Sequence, residues 1–223
     1  MIPLFPLGLV LLPQAELPLH IFEQRYKVMI KECLDKDQVF GIVCFDGKKM
    51  HKVGCTARII RIIKRYRDGR MDLAVKGERR IYVEHIDESR EFLQAHILFI
   101  DDVDEPAALD SQDLIDKAVN LLKRLDQLLG DTRDYAHLST LDLKRLSFII
   151  PGSEGFSMEE RQRFLELTSS HQRLVKGMQV LESIIARVKI SRKVGKIIGG
   201  NGQIRALLAE KGLLAQSNTE DGP

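Results

Sequence analysis

No two cysteines of this chain lie close together: Cys33, Cys44 and Cys55 are odd in number and widely spaced. Such a set builds neither a disulfide framework nor a zinc ribbon, so three reduced thiols in a core are expected. No apolar run reaches the roughly 18 residues that a membrane span needs. The stretch from Leu7 to Leu12 is apolar, yet no Lys or Arg precedes it, and Pro3, Pro6, Pro13 and Pro18 interrupt its surroundings. It does not read as a secretory leader, and a cytoplasmic protein is the expectation. Charge of one sign is also missing. With 34 basic against 32 acidic residues, the net charge of +2 demands neither nucleic acid nor a membrane as partner.

Chemistry is absent in the same way. No G-x-x-x-x-G-K-[ST] occurs, hence no P-loop to cradle phosphates. The histidines at 20, 51, 85, 96, 137 and 171 are scattered, and no Ser, Cys or paired carboxylates join them in a catalytic motif. His51 and Cys55 are the one pair with metal-like spacing, and a site needs three or four convergent ligands. No enzyme, metal or cofactor is expected. What remains is an ordinary chain of 223 residues, 44% hydrophobic and 30% charged, ample for a full core.

The first hundred residues read as strands broken by one helix. Phe22, Tyr26, Met29, Ile30, Cys33 and Leu34 recur at helical spacing. Val39 to Phe45 and Ala57 to Tyr66 read as strands that end at the turn pairs Asp46-Gly47 and Asp68-Gly69. Met71 to Val75, Arg80 to Glu84 and Leu93 to Ile100 bring the count to about six, with Gly77 as a turn or bulge. Short strands and tight turns predict a small barrel or a strongly curved sheet. At Asp101 the acidic, proline-ended DDVDEP carries little that packs, which makes it a domain boundary.

Beyond it the period becomes helical. Leu114, Ala118, Leu121, Leu125 and Leu128 form one stripe between Ser111 and Gly130. A second helix is expected from Leu141 to Ile149, ending before Pro151. Ser157 and Glu160 have the spacing of a capping box, and a last helix is expected over 170–190. The predicted fold class is therefore α+β: a β-rich, barrel-like domain with one helix (1–103), a helical bundle (107–190) and a basic, glycine-containing mobile tail (191–223).

The opening IPLFPLGLVLLP, running into PLHIFEQRY (Pro18 to Tyr26), resembles the N-terminal domain of Lon proteases. GCTARI (Gly54 to Ile59), DGR (Asp68 to Arg70) and VKGERR (Val75 to Arg80) are similar to that family's landmarks, in its order. FSMEERQRFLEL (Phe156 to Leu167) and Arg173-Leu174 extend the likeness into the helical half. The resemblance implies a non-catalytic module that recognises unfolded or exposed polypeptide, standing alone without ATPase and peptidase domains. A separate protease or chaperone would be its implied partner.

Candidate polypeptide contacts are His20, Phe22, Arg25, Arg58 and Arg79. Against this stands a structural reading in which Phe22 and Tyr26 fill the core, Glu23 satisfies the helix start and Arg25 pairs internally. An extended client would dock on a free sheet edge or in the groove between the two parts. Phe5, Leu9 and Leu12 are candidates for exposed apolar surface. A rival reading is RNA binding by the tail. IIGGNGQI (Ile197 to Ile204) has the pattern of a KH-domain loop, with Lys193, Lys196, Gly199 and Gly202 as contacts. A third is an adaptor acting through self-association.

Overall fold

The period-2 segments of the first hundred residues form six strands. The computed structural model describes residues 1–103, 111–131, 135 and 138–200, with the backbone alone for 111 and 193–200. In it β1 spans Ile2–Leu7, β2 Glu16–Ile21, α1 Gln24–Asp35, β3 Phe40–Phe45, β4 Met50–Arg65, β5 Met71–Asp87 and β6 Gln94–Ile100. Neighbours run β2-β5-β4-β3-β1-β6, and β6 returns to pair with β5. The pairings β1–β3–β4–β5–β6–β1 thus form a closed circuit, with β2 added on the Met71–Lys76 end of β5. Only β1 and β3 are parallel among these pairs, as a connection carrying β2 and α1 allows.

Local chemistry fixes the turns. Gly47 and Gly69 adopt φ of +88° and +82°, a region closed to most side chains, at the two predicted hairpins. The Asp46 carboxylate accepts from the amides of Lys48 and Lys49, and these bonds hold its pKa below the usual value. The strands expected at 71–75 and 80–84 are one continuous β5. Of the turn or bulge expected at Gly77, the structure has the bulge, since Ala57 faces Gly77 while Cys55 faces Arg80. The Thr56 hydroxyl accepts from the Arg79 amide at 3.0 Å across that bulge.

One face of α1 (Tyr26, Met29, Ile30, Cys33) packs with Phe5, Ile21, Ile42 and Leu73 as the main β-side core. Burying each such side chain contributes about 1.5–3 kcal/mol. Phe5 and Leu12 are core residues, 6% and 2% exposed, so neither supplies the surface patch expected of them, and Leu9 is half-buried.

The helical half comprises α2 (Ser111–Leu129), a 3-10 turn (Leu138–Thr140), α3 (Leu143–Gly152), α4 (Met158–Glu166) and α5 (Ser170–Gly200). Its apolar stripes meet in one cluster that includes Leu122, Leu125, Leu146, Ile150, Leu174 and Leu181. The capping box at α4 is formed, with Ser157 and Glu160 each bonding the other's backbone amide. Two expected ends move. Pro151 lies inside the last turn of α3, where the Ser153 amide and hydroxyl both close on the Ile150 carbonyl. Nothing stops α5 at Ile190, because isolated glycines cost a helix only about 1 kcal/mol each, and it runs on to Gly200. Part of the segment expected as a tail is therefore helical.

The acidic segment after β6 also departs from expectation. Asp102 is folded inward between two guanidiniums, with Arg80 Nη2 at 2.5 Å from Oδ1 and Arg173 Nη2 at 2.7 Å from Oδ2. Arg80 and Arg173 are 3% and 0% exposed, and both also donate to the Leu167 carbonyl. Arg173 donates further to Ser147 Oγ and lies over the Phe148 ring, its carbon 3.7 Å from the centroid. Strand alternation puts Arg79 and Arg80 on opposite faces of β5; Arg80 is buried against the Leu165 and Leu167 carbonyls of the helical half, and Arg79 is exposed. One carboxylate thereby ties β5 to α3 and α5.

Candidate functional site

The largest exposed apolar side chain near the opening motif is Phe22, at 59%. Its exposure follows from where the helix begins. Leu19 and Ile21 of β2 face the core, His20 faces out, and Phe22 continues that alternation because α1 starts only at Gln24. The core placement expected at helical spacing from Tyr26 is thus corrected. Glu23 is the N-cap residue, but its side chain makes no capping bond. It accepts instead from Arg25 Nε at 2.9 Å, and the Arg25 guanidinium lies over the Tyr26 ring.

Phe22 is held from behind. Its ring stacks on His20 with centroids 5.8 Å apart and planes at 22°. His20 Nδ1 is 2.5 Å from Asp72 Oδ1, and because a carboxylate only accepts, this nitrogen carries the proton. The Tyr66 hydroxyl donates to Asp72 Oδ2 at 2.7 Å, and its ring meets His20 edge-on. Bonds from His20 and then Tyr66 lower the Asp72 pKa, and in return Asp72 raises that of the Tyr66 phenol.

Beside this stack lies a cleft of about 390 Å³ between β1, β2 and the start of α1. Leu7, Leu9, Pro18 and Tyr26 give it an apolar floor, and Glu23 and Arg25 line it as well. An apolar trough with few polar groups suits side chains of an extended polypeptide. Of the predicted contacts, the fold brings His20, Phe22 and Arg25 to this cleft. Arg58 and Arg79 lie elsewhere: Arg58 pairs with Glu78 at 2.6 Å, and Arg79 covers the Phe99 ring and reaches Asp101. Lys193, Lys196 and Gly199 fall within α5, where a KH-type loop would turn, and Gly202 lies outside the described residues. Sequence reasoning did not find Tyr66 or Asp72, although the pairing of β2 with β5 places Asp72 directly opposite His20.

The thiols are poor nucleophiles. Cys33, Cys44 and Cys55 are free and buried, and burial pushes Cys33 up to about 11 and Cys55 to about 12. A thiol-reactive chromophore at pH 8 is expected to titrate none of the three in the native protein and all three in denaturant. Fast native labelling would contradict their burial. Among the described residues no group of three or more His, Cys, Asp or Glu is placed to hold a metal ion. Nor is any described helix long and apolar enough to cross a membrane.

Known proteins share this architecture. The sequence model of the ATP-dependent protease La (LON) substrate-binding domain matches residues 1–183. A Lon protease of Cytophaga hutchinsonii is 21% identical over 86% of the chain, and one of Anaeromyxobacter dehalogenans 24% over 89%. The chain spans about a quarter of the length of these relatives (25% of each). A Lon N-terminal domain protein from Xanthomonas campestris superposes with a TM-score of 0.62, at 23% identity, covering 78% of this chain and 95% of that one. The N-terminal domain of a Mycobacterium avium complex Lon protease gives 0.65 at 16% identity, over 83% and 97%.

Proposed function

The chain belongs to the LON substrate-binding domain family, and from that premise we propose that it captures unfolded or extended polypeptide in the cleft where β2 meets α1. The observation that carries this reading is the exposed Phe22 ring, fixed by His20, Asp72 and Tyr66 at the edge of an apolar trough. A solvent-facing aromatic held rigid loses little entropy on binding, as aromatic anchors of protein interfaces do. Apolar client side chains enter between Leu9 and Pro18, while Glu23 and Arg25 meet the client's polar groups. On the same reading the strand circuit is a small barrel, the helical half a bundle, and the module hands its client to a separate protease or chaperone without chemistry of its own.

Titration of the protein into a labelled, permanently unfolded polypeptide, followed by anisotropy, tests this. Saturable binding that unlabelled RNA does not displace is expected. Phe22→Ala weakens it by about tenfold or more, the loss typical of a central aromatic anchor, with an unchanged thermal midpoint. Equal affinity of the variant would remove the cleft from the account.

A further inference from the structure

The described strands leave one long edge of β4 open. β4 pairs with β3 only as far as Ala57, opposite Phe40, and from Arg58 onward its sole strand neighbour among the described residues is β5. Two register shifts fall within this free half. Ile59 faces Val75 while Arg61 faces Ala74, and Ile62 faces Leu73 while Lys64 faces Asp72. Each shift leaves one extra residue on β4, and the two extra residues are Ile60 and Ile63. These are the two exposed isoleucines of the strand, at 41% and 54%.

Bulges protect an edge from unwanted pairing and re-aim side chains. Protection alone requires no isoleucine at either position. Around the pair stand Arg61, Lys64, Arg65 and Arg67, all exposed. Among the described residues none of these four has a carboxylate within ion-pair distance, whereas Arg58 and Arg70 are occupied by Glu78 and Asp68. The edge is basic, apolar at two points, and has no second strand partner among the described residues.

We propose that the β4 edge from Arg58 to Arg65, with Arg67 of the turn that follows, is a second docking strip, taking an extended, acidic polypeptide segment with apolar residues interspersed. The client's apolar side chains rest on Ile60 and Ile63, and its carboxylates meet Arg61, Lys64, Arg65 and Arg67. Main-chain groups of the client pair with the open edge, as in strand addition. A second copy of the same edge is repelled by like charge. Nucleic acid would satisfy the cations but neither the isoleucines nor the main chain. The strip rests on the recognition reading above but not on its cleft, and it defines which clients bind.

The test uses the full chain and a labelled peptide alternating Glu and Val, with a Lys and Val peptide of equal length as control. Saturable binding of the Glu peptide alone is expected. Two double variants, Ile60→Ser with Ile63→Ser and Arg61→Glu with Arg67→Glu, each weaken it about tenfold or more. Because all four positions are exposed, thermal midpoints stay at the wild-type value and separate lost binding from lost folding. Equal binding of the two peptides, or indifference to the isoleucine pair, overturns the strip. So does tight binding of an RNA oligonucleotide that the charge reversal abolishes and the serine pair does not. Binding of the unfolded polypeptide that depends on Phe22, with no binding of the Glu peptide, overturns the strip and leaves the cleft standing; the opposite pattern overturns the cleft alone.

Discussion

Asp102→Ala lowers the stability of the protein by about 3–5 kcal/mol, the cost of leaving buried charges without their partner. Asp102 is 6% exposed at its side chain, and its two oxygens together take Nη donors from Arg80 and Arg173. Removing the carboxylate leaves both guanidiniums in place and buried. Burial already lowers the Arg80 pKa, the Asp102 charge being the main opposing influence. Carbonyls of Leu165 and Leu167 remain as acceptors but carry no full charge. Urea unfolding measures the loss as a fall in midpoint. Asp102→Asn, which keeps the size and one acceptor, is expected to fall between wild type and alanine. A midpoint for Asp102→Ala equal to wild type would mean that the network does not join the β part to the helices.

Gly77→Ala is expected to destabilise by about 1–3 kcal/mol, the range for forced overpacking, and to weaken polypeptide binding as well. A Cβ built on Gly77 would stand 2.3 Å from the Leu12 carbonyl oxygen, a backbone atom that no side-chain rotation moves. The contact is close because β5 and the segment after β1 are bonded here. The Gly77 amide donates to the Ala15 carbonyl at 2.9 Å, and its own carbonyl accepts from the Gln14 amide at 2.8 Å. Gln14 is held at φ +68° by this arrangement. Pushing the segment away shifts Leu9, part of the cleft floor. Urea denaturation and the anisotropy titration read the two effects separately. A variant with native stability and native affinity would show that this segment adjusts freely and has no part in shaping the cleft.

Periodicity carried most of the fold into view. The hairpins at Asp46-Gly47 and Asp68-Gly69, the capping box at Ser157 and the apolar stripe of α2 are local, and local chemistry decides them. The departures have a common cause in long-range partners. DDVDEP reads as a linker because nothing nearby in sequence neutralises Asp102; its partners are 22 and 71 residues away. Arg80 and Arg173 were visible as family landmarks, but not as two donors to one carboxylate. At the candidate site His20, Phe22 and Arg25 were legible from the opening motif. Phe22 took the wrong side in the structural reading because its spacing from Tyr26 fits a helix while its own backbone belongs to the end of β2. Asp72 and Tyr66 stayed hidden because only strand pairing brings them to His20.

Amide hydrogen exchange of the full chain, with and without a saturating unfolded polypeptide, tests the recognition claim most directly. Exchange reports local opening of each segment in the native state. The account predicts slowed exchange over 7–9 and 18–26, where the cleft and the Phe22 stack lie, and none of this slowing in Phe22→Ala. Protection confined to the helical half, or none anywhere while the polypeptide is bound, would contradict it.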